Sequence, residues 1–479
     1  MPYYPNSGGS FYGGASGPAS TYLGVSGYGS TMRSGPKRTF QSNLLVGPVD
    51  KPWKDAKDPW TRVAWWITVV LWFAGIAGAA VLSFFAYRDT PSVGKVCLSF
   101  NEEFTGAAWI SLIPCAVSGL TKVRADPNLG QWTKEVGVGG YGTGGFEWTT
   151  ASDKNLKVSG GKLYIVPTLT RDSEGISQDL ILSGTSKEID GCTKDTDSTA
   201  YFKDKPLGSA AGLRQHDACN IVSDLTAKRA VNPVQSGRLS SKAATGGNIL
   251  YGRVEVKAKL PTGDWLYPQI MMLPKDAEYG SWPLSGEIDL MLARGNDANY
   301  PKGGNDFITG GLQWGPGVGF NAFDKTRGWW QERRTTFNQA FHTFTLEWTP
   351  DFMWIFVDRR VNRVIDLRFK KQTFFERGKF PLTFQNGTDT VLLRNPWETN
   401  GKQNLVAPFD KEFYMILTVG AGGTNGWFPD NAGDKPWFDR SNAAMFDFAN
   451  ATDTWHKTWP TKDEDRAMVV EYVKFSKTC

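Results

Sequence analysis

Two hydrophobic patterns divide the chain, and the first is a long apolar run. Residues 63–87 (VAWWITVVLWFAGIAGAAVLSFFAY) contain no charged side chain. At 1.5 Å rise per residue this segment is long enough to cross a hydrocarbon core of ~30 Å. The run is too long for the apolar part of a cleavable signal peptide, and a long segment precedes it. We therefore predict a transmembrane helix at 63–87.

The segment before this helix has almost no aliphatic positions. Residues 1–60 are dominated by Gly, Ser, Tyr and Pro, so they cannot bury enough apolar surface to offset their conformational entropy. We predict a disordered tail at 1–60, acting either as a solvated spacer or in sorting and adaptor binding.

Basic residues are distributed unequally around the apolar run. Seven Lys or Arg residues lie between positions 33 and 62, whereas Arg88 and Lys95 are the first on the other side. The more basic flank of a membrane helix normally stays in the cytosol. We expect a single-pass type II membrane protein with a cytosolic N-terminus and a short stem at 88–97. Its body, residues 98–479, would then lie in the lumen of the secretory pathway or at the cell surface.

The second pattern is the two-residue period of β-strands. In Gly252–Leu260, apolar residues from Val254 onward alternate with charged residues from Arg253 onward, as in a half-buried antiparallel strand. Similar segments recur, without a repeat period, at 162–166, 341–348, 353–358, 413–419 and 468–475. The body is therefore predicted to be all-β, a single large sandwich or jelly roll with long loops, although its size leaves a split into two domains open.

Composition and charge exclude several classes of partner and of reaction. The chain has 20 Trp and 53 Gly, and its 53 Lys+Arg nearly balance 48 Asp+Glu, so no nucleic-acid partner is indicated. Its three His form no pair at metal-ligand spacing, and it has no CxxC, which argues against zinc hydrolysis and dithiol chemistry. We expect no cofactor and no metal at the site, while a structural calcium ion has no recognisable sequence signal here.

Paired carboxylates remain as the candidate chemistry, in the segment 282–296 (WPLSGEIDLMLARGN). In an extended strand Glu287 and Asp289 project to the same face. Two neighbouring carboxylates repel each other and raise each other's pKa, an arrangement that marks functional sites. The pair alone fits equally a solvated edge strand.

The wider sequence resembles family 16 of the glycoside hydrolases, in its laminarinase-like and β-glucan-recognition-like branch and in a fungal-type single-pass membrane form. The resemblance is collinear from about Leu98 to Cys479 and rests on SGEIDLM with ARGN, YGRVEVKAKLPTGDW, LQWGP, FHTFTLEWTPDFMWIFVD and VGAGGTNGWFPD. It implies a concanavalin-like β-jelly roll that binds β-1,3 or β-1,3/1,4 glucan of the cell wall and cleaves it with retention.

The resemblance also assigns roles to individual residues. Glu287 takes the nucleophile position and Asp289 the assisting position of the family motif E-x-D-x-x-E. A β-bulge is needed in that motif, because one extra residue returns the last carboxylate to the face of the other two. In this chain Leu292 occupies the acid/base position, and Met291 would occupy it without a bulge. Neither side chain can protonate a leaving group or activate water.

Two main functions are therefore open. A membrane-anchored retaining endo-β-glucanase or transglycosylase would need a replacement acid, such as Asp297 or Glu278. A glucan-binding or wall-assembly pseudoenzyme would keep the binding face without the chemistry. A third class is a membrane scaffold that acts through its tail.

Sugar-binding candidates are aromatic and polar side chains, because aromatic rings stack on sugar faces. For each single Trp, core packing is the alternative interpretation. The resemblance also places Met271 where a Trp is common and Gln313 where a His is common. The candidates are Trp282, Trp265, Trp314, Trp427, Gln313 and Arg253.

Five cysteines in an oxidising compartment are expected to pair where geometry allows. We predict that Cys192 and Cys219 close a short loop. Cys97 and Cys479 bracket the body and can join its first and last strands, since sandwich termini often lie close together. Cys115 then remains free.

Two N-glycosylation sequons begin at Asn386 and Asn450, and a lumenal body would expose them to modification. Residues 107–131 lie where the family usually has a shorter connection, and the sequence suggests no role for them.

Overall fold

The structure of the chain is a computed structural model. It describes residues 47–48, 50–51, 59–104, 107–111, 120–124, 129–193, 218–386, 389–398, 401 and 404–479, with only the backbone at 107–111, 120–124 and Asn386. Most of the predicted tail, Cys115 and the end of the first sequon lie outside the described residues. The chain forms two compact units, 1–89 and 90–479.

In the first unit the apolar run forms a helix, α1, at Trp60–Arg88. Its central window has a mean hydropathy of 2.2, and among the described residues this is the helix long and apolar enough to cross a membrane. The hydroxyl of Thr68 donates to the carbonyl of Ala64 at 2.9 Å, so this polar group is satisfied within the helix. By length and composition α1 matches the predicted segment 63–87.

The second unit consists mainly of strands, with short helices in its connections. The described helices after α1 are α2 Thr170–Ser173, α3 Gln178–Leu182, α4 Phe374–Gly378, α5 Ala444–Asn450, α6 Thr452–Trp455 and α7 Asp463–Arg466. The described strands are β1 Val96–Glu102, β2 Ala107–Ser111, β3 Leu120–Arg124, β4 Trp132–Lys134, β5 Glu147–Thr149, β6 Leu156–Ser159, β7 Lys162–Ile165, β8 Thr168–Leu169, β9 Ser186–Glu188, β10 Asn220–Val222, β11 Val234–Ser236, β12 Arg238–Ser241, β13 Asn248–Ile249, β14 Gly252–Lys259, β15 Leu266–Pro274, β16 Glu287–Ala293, β17 Phe307–Gln313, β18 Gly328–Gln331, β19 His342–Trp348, β20 Phe352–Val357, β21 Arg363–Arg368, β22 Thr383–Asn386, β23 Asp389–Leu392, β24 Phe413–Ala421 and β25 Met468–Thr478.

Two eight-stranded sheets form a β-sandwich of the jelly-roll class, which confirms the predicted all-β fold. The back sheet has the order β21-β20-β19-β14-β25-β7-β6, with β1 paired to β25. The front sheet has the order β18-β17-β16-β15-β24-β12-β4, with β13 paired to β24. Neighbours within both sheets are antiparallel; some are consecutive in the chain, such as β16 and β17, and others are distant in sequence, such as β15 and β24.

The core lies between the two sheets and is built from alternate residues of each strand. In β14 the side chains of Val254, Val256 and Ala258 are at most 1% exposed, while the charged residues between them are partly exposed. The alternation is therefore the one that the sequence predicted. The front sheet contributes the opposite wall of the core, for example through Ile288 and Met291 of β16, both 0% exposed.

Disulfide bonds close the domain at the two predicted places. Cys97 in β1 is bonded to Cys479, with a Cα–Cα distance of 5.8 Å, and Cys192 is bonded to Cys219 at 5.6 Å. Because β1 pairs with β25, the first bond covalently links the first strand of the sandwich to the last. The second bond ties the segment after β9 to the start of β10. Both predicted pairings are confirmed.

Candidate functional site

The candidate carboxylates lie on β16, and this strand contains the β-bulge. Asp289 and Met291 are two residues apart, yet they pair with adjacent residues of β15, so Leu290 is an extra residue. The register toward β17 shifts in the same place, between Asp289 and Leu292. One inserted residue reverses the alternation of every later side chain. Glu287, Asp289 and Leu292 therefore share the outer face of the front sheet, as the resemblance implied.

Leu292 belongs to a row of side chains that crosses the front sheet from edge to edge, and it is third from the β18 edge. Successive register pairs and one backbone hydrogen bond link the members of this cross-strand row, which are Glu135, Arg238, Thr418, Gln269, Leu292, Thr309 and Trp329. Six strand spacings of ~4.8 Å give the row a length of ~29 Å. The other members are polar or aromatic, so Leu292 is the one aliphatic side chain among the seven.

Glu287 and Asp289 are held by different side-chain donors. The indole Nε1 of Trp282 donates to Oε2 of Glu287 at 2.7 Å. The amide Nε2 of Gln313 donates to Oδ2 of Asp289 at 2.9 Å, and Nδ2 of Asn321 donates to Oε1 of Gln313 at 3.1 Å. Glu287 is 4% exposed and Asp289 is fully buried. These bonds fix the orientation of both carboxylates.

Tyr267 and Arg294 lie beside the carboxylates on the same face. Burial, and then the charges of Asp289 and Glu287, raise the pKa of Tyr267 well above its ordinary value. Burial lowers the pKa of Arg294 to about 10. The Trp427 ring stacks on Tyr267 at 4.9 Å, and the guanidinium carbon of Arg294 lies 4.1 Å from the centre of that ring. Tyr267 therefore keeps its phenolic proton, and Trp427 covers one end of the site.

At the position to which the family resemblance assigns the acid/base, the side chain is Leu292, which has no proton to donate. Leu292 is 3% exposed and pairs with Gln269 across the strand. The two carboxylates that sequence reasoning offered as substitutes are engaged elsewhere. Glu278 forms an ion pair with Lys411 at 2.7 Å, and the carboxylate of Asp297 accepts a backbone N–H of its own turn at 2.7 Å. The arrangement around Glu287 can thus hold a nucleophile. The position that carries the second catalytic carboxylate in the family motif is the hydrocarbon side chain of Leu292 here.

Trp265 and Trp314 lie in the core, which corrects their prediction as sugar-stacking residues. Gln313 faces outward, so Trp314 beside it faces inward; it is 0% exposed and its Nε1 donates to the hydroxyl of Thr326. Trp265 is 2% exposed and packs edge-on against Trp437 at 5.1 Å. Both indoles serve packing, because alternation and loop burial direct them away from solvent.

Trp282 is the predicted aromatic residue that lies directly at the carboxylates. It packs with Met271 and Ile416 in a small apolar cluster, and Met271 is the register partner of Asp289. Met271 therefore lies beside the carboxylate pair, where the resemblance implied a Trp. The apolar surface next to Glu287 is formed by Trp282 and Met271.

Arg253 lies on the other sheet, which corrects its prediction as a substrate-binding residue. Val254 faces the core, so Arg253 faces outward from the back sheet. There its guanidinium contacts Glu255 at 2.8 Å and Glu347 at 3.7 Å. The core of the sandwich separates this surface from the carboxylates on the front sheet. Arg253 is a member of a surface ion-pair network.

Of the two sequons, the structure describes one in full. Asn450 is exposed at the end of α5, and the hydroxyl of Thr452 donates to the carbonyl of Ala449 at 2.6 Å. The side chain of Asn386 lies outside the described residues. Modification of either residue stays a prediction.

Sequence reasoning missed both ends of the cross-strand row. Glu135 and Arg238 form an ion pair at 2.8 Å with both side chains at most 5% exposed, and the guanidinium lies 4.2 Å from the Tyr141 ring. At the other end Trp329 is 61% exposed. Glu135 and Arg238 are 103 residues apart, so no local pattern could join them. The neighbouring Trp329 and Trp330 offered a signal, because a strand sends adjacent side chains to opposite faces.

Metal ligation has no candidate in the described part of the chain, where no three His, Cys, Asp or Glu side chains group around a common point.

Several known proteins are similar to this chain. Residues 213–404 match the sequence profile of the glycosyl hydrolases family 16. A β-1,3-glucan-binding protein of Penaeus monodon is 34% identical over 353 residues, covering 72% of this chain and 85% of that protein. One of Hyphantria cunea is 30% identical, covering 68% of this chain and 60% of that protein. A solved laminarinase from Rhodothermus marinus is 20% identical with a TM-score of 0.42, covering 80% of this chain and 98% of that one. This chain belongs to family 16 of the glycosyl hydrolases.

Proposed function

We propose that this protein is a membrane-anchored β-1,3-glucan-binding protein that has lost the hydrolytic activity of its family. The observation that carries the proposal is the position of Leu292, on the bulged strand and on the same face as Glu287 and Asp289. A retaining glycosidase needs two carboxyl groups, one to attack and one to transfer the proton. Here the second position is an aliphatic side chain.

Replacing the acid/base carboxyl group by an aliphatic side chain should lower turnover strongly. A general acid or base typically contributes ~10²–10⁴ to turnover, and a sugar hydroxyl leaves poorly without a proton. Glu278 and Asp297 do not compensate, because one is paired with Lys411 and the other is bonded within its own turn. We therefore expect binding without measurable cleavage.

Glucan as the ligand is supported by the relatives and by the chemistry of the face. The two relatives described above are named for binding β-1,3-glucan. The outer face of the front sheet offers amide, hydroxyl and carboxylate groups for sugar hydroxyls, and the indoles of Trp282 and Trp427 for sugar rings.

Membrane anchoring is supported by α1, whose apolar length suits a single crossing. The excess of Lys and Arg before α1 favours a cytosolic N-terminus and a lumenal or extracellular body. Two disulfide bonds in the body suit an oxidising compartment. The glucan-binding face would then be displayed on the non-cytosolic side, toward a cell wall.

A binding assay and a cleavage assay on the same preparation test this proposal. Full-length protein in detergent is incubated with insoluble β-1,3-glucan for sedimentation, and with laminarin for the appearance of reducing ends. We expect co-sedimentation and no new reducing ends. Cleavage that disappears in Glu287→Gln would refute the pseudoenzyme. Absence of both binding and cleavage would refute a glucan function and favour a scaffold acting through its tail.

A hydrolase or transglycosylase is the second candidate, and the retained carboxylate pair favours it. Glu287 and Asp289 are both held toward the outer face by donors from other segments, an arrangement that costs burial of charge. Cleavage by the wild-type protein is the result that would select this candidate.

A further inference from the structure

At one edge of the front sheet an exposed aromatic surface faces the same side as the carboxylates. Trp329 of β18 is 61% exposed, and its ring stacks on Phe307 of β17 with centroids 5.4 Å apart and planes 20° apart. Its neighbour Trp330 packs against the core instead. β18 is the edge strand. The Trp329–Phe307 pair therefore forms a flat surface that the fold leaves open to solvent.

Packing of the sandwich does not account for this surface. Burial of an aromatic side chain is among the largest single contributions to a core, and Trp330 already supplies it from the same strand. Phe307 supports the Trp329 ring from one side, so the indole is held in position with its other side free for a ligand. A held, exposed ring is what a stacking ligand requires.

Trp329 lies in the same cross-strand row as Leu292. Thr309 is the register partner of Leu292 on one side and of Trp329 on the other. Two strand spacings give ~10 Å between the backbones at Leu292 and Trp329. Between them the row contains the short side chain of Thr309, which is 7% exposed.

Hydrogen-bonding groups lie close to the ring along the chain. Gln331 follows Trp329 by two residues in β18, and residues two apart in a strand share a face; Arg327 lies just before the strand. The Arg327 side chain is 54% exposed and contacts Asp324 at 2.9 Å, and the Gln331 amide donates to Asp306 at 2.7 Å. A flat apolar ring with polar groups at its margins complements a sugar, which has an apolar ring face and hydroxyls around it.

We propose that Trp329, supported by Phe307, is a sugar-stacking platform that binds a β-glucan chain beyond the Glu287–Leu292 position. The inference rests on the proposed function, because it takes the same polysaccharide as its ligand. It adds a second contact point, about two strands from the carboxylates, that distinguishes long glucan chains from short ones.

The test measures affinity against ligand length. Full-length protein in detergent is titrated with β-1,3-gluco-oligosaccharides of increasing length and with laminarin, by calorimetry. Wild type should gain affinity once the oligosaccharide is long enough to reach Trp329. Trp329→Ala should lose that gain, roughly five- to tenfold for long ligands, and bind short ones like wild type. Trp329→Phe keeps an aromatic face and should restore most of the gain.

A matched control is Tyr472→Ala, which removes a partly exposed ring from the outer face of the back sheet, where Lys474 covers it at 4.4 Å. It should leave every affinity unchanged, and thermal melting checks that all variants are folded. Unchanged affinity for long ligands in Trp329→Ala, with normal wild-type binding, would overturn the platform and leave the proposed function intact.

Two other results would also overturn the platform. If Trp329→Ala instead converts a dimer to a monomer by light scattering without changing affinity, a second copy of this chain occupies the surface at the β18 edge. If wild type binds no glucan of any length, the proposed function and the platform fail together.

Discussion

Replacing Leu292 by glutamate should restore cleavage. The substitution returns a carboxyl group to the face that Glu287 and Asp289 share. The β17 partners of Glu287 and Leu292, Gln313 and Thr309, are four residues apart, or ~13 Å along the sheet. Two glutamate side chains that lean toward each other across this span can approach the ~5–5.5 Å separation of a retaining pair.

The magnitude follows from what the new group supplies. A general acid contributes ~10²–10⁴ to turnover, so Leu292→Glu should release reducing ends from laminarin at least ~10² faster than wild type. The site is only 3% exposed, so burial will raise the pKa of the introduced carboxyl and keep it protonated. Activity should therefore fall as the pH rises through that raised pKa, because only the protonated form donates.

The new group also has a cost in stability. A polar side chain in a buried position without a full set of partners costs ~1–3 kcal/mol, and Gln269 across the strand can offset part of this by donating a hydrogen bond. Thermal unfolding should show a lower melting temperature. Leu292→Gln is the matched control, since it carries a similar volume and polarity without a transferable proton.

The assay combines rate and stereochemistry. Reducing-end release gives turnover, and proton NMR of the first product gives the anomeric configuration. Retention supports the short carboxyl separation, whereas inversion indicates a gap of ~6.5–9.5 Å with water between the groups. Glu287→Gln in the Leu292→Glu background should abolish the gain. Wild-type cleavage comparable to Leu292→Glu, or an equal gain in Leu292→Gln, would refute the reasoning.

Three substitutions and one protease experiment test other parts of the structure. Gln313→Leu removes the donor at 2.9 Å to buried Asp289 and should lower the free energy of unfolding by ~1–3 kcal/mol in denaturant titration; unchanged stability would show that this bond is dispensable. Glu135→Gln leaves the buried Arg238 guanidinium without its charge partner at 2.8 Å and should cost ~3–5 kcal/mol. Asp453→Asn, at a pair whose carboxylate is 81% exposed, should cost no more than ~1 kcal/mol; equal losses would contradict the burial argument. Protease added to sealed microsomes should remove only the segment before α1, whereas digestion of the body with survival of the tail would reverse the proposed orientation.

The hydrogen bonds in the structure offer a reason why the carboxylates would be kept when the proposed loss of the acid occurred. Glu287 and Asp289 are bonded to Trp282 and Gln313, which come from the preceding turn and the neighbouring strand, so they also tie segments of the fold together. Leu292 is an aliphatic side chain that makes no such bond. In the proposed pseudoenzyme a substitution there would remove catalysis at little structural cost, while loss of Glu287 or Asp289 would leave buried donors unsatisfied.

Local pattern was sufficient for much of the architecture. Alternation in residues 252–260 predicted the half-buried strand β14, and the uncharged run at 63–87 predicted the helix α1, because both depend on the backbone period alone. The E-x-D-x-x-E resemblance, with the pleat of a strand, predicted the bulge that places Leu292 on the same face as Glu287. The Cys97–Cys479 pairing followed from the bracketing positions of these cysteines, and the Cys192–Cys219 pairing from the short loop between them.

Tertiary structure decided which face of each strand meets the core and which distant residues meet each other. The two-residue period of a strand predicts that Gln313 and Trp314 point in opposite directions. Only the packing of the two sheets decides that Trp314 faces the core and that Trp329 is exposed. Strand order sets Arg253 on the back sheet, away from the carboxylates. The cross-strand row joins seven segments between Glu135 and Thr418 that no local pattern connects, because sheet register is a long-range property fixed by burial of one face of every strand at once.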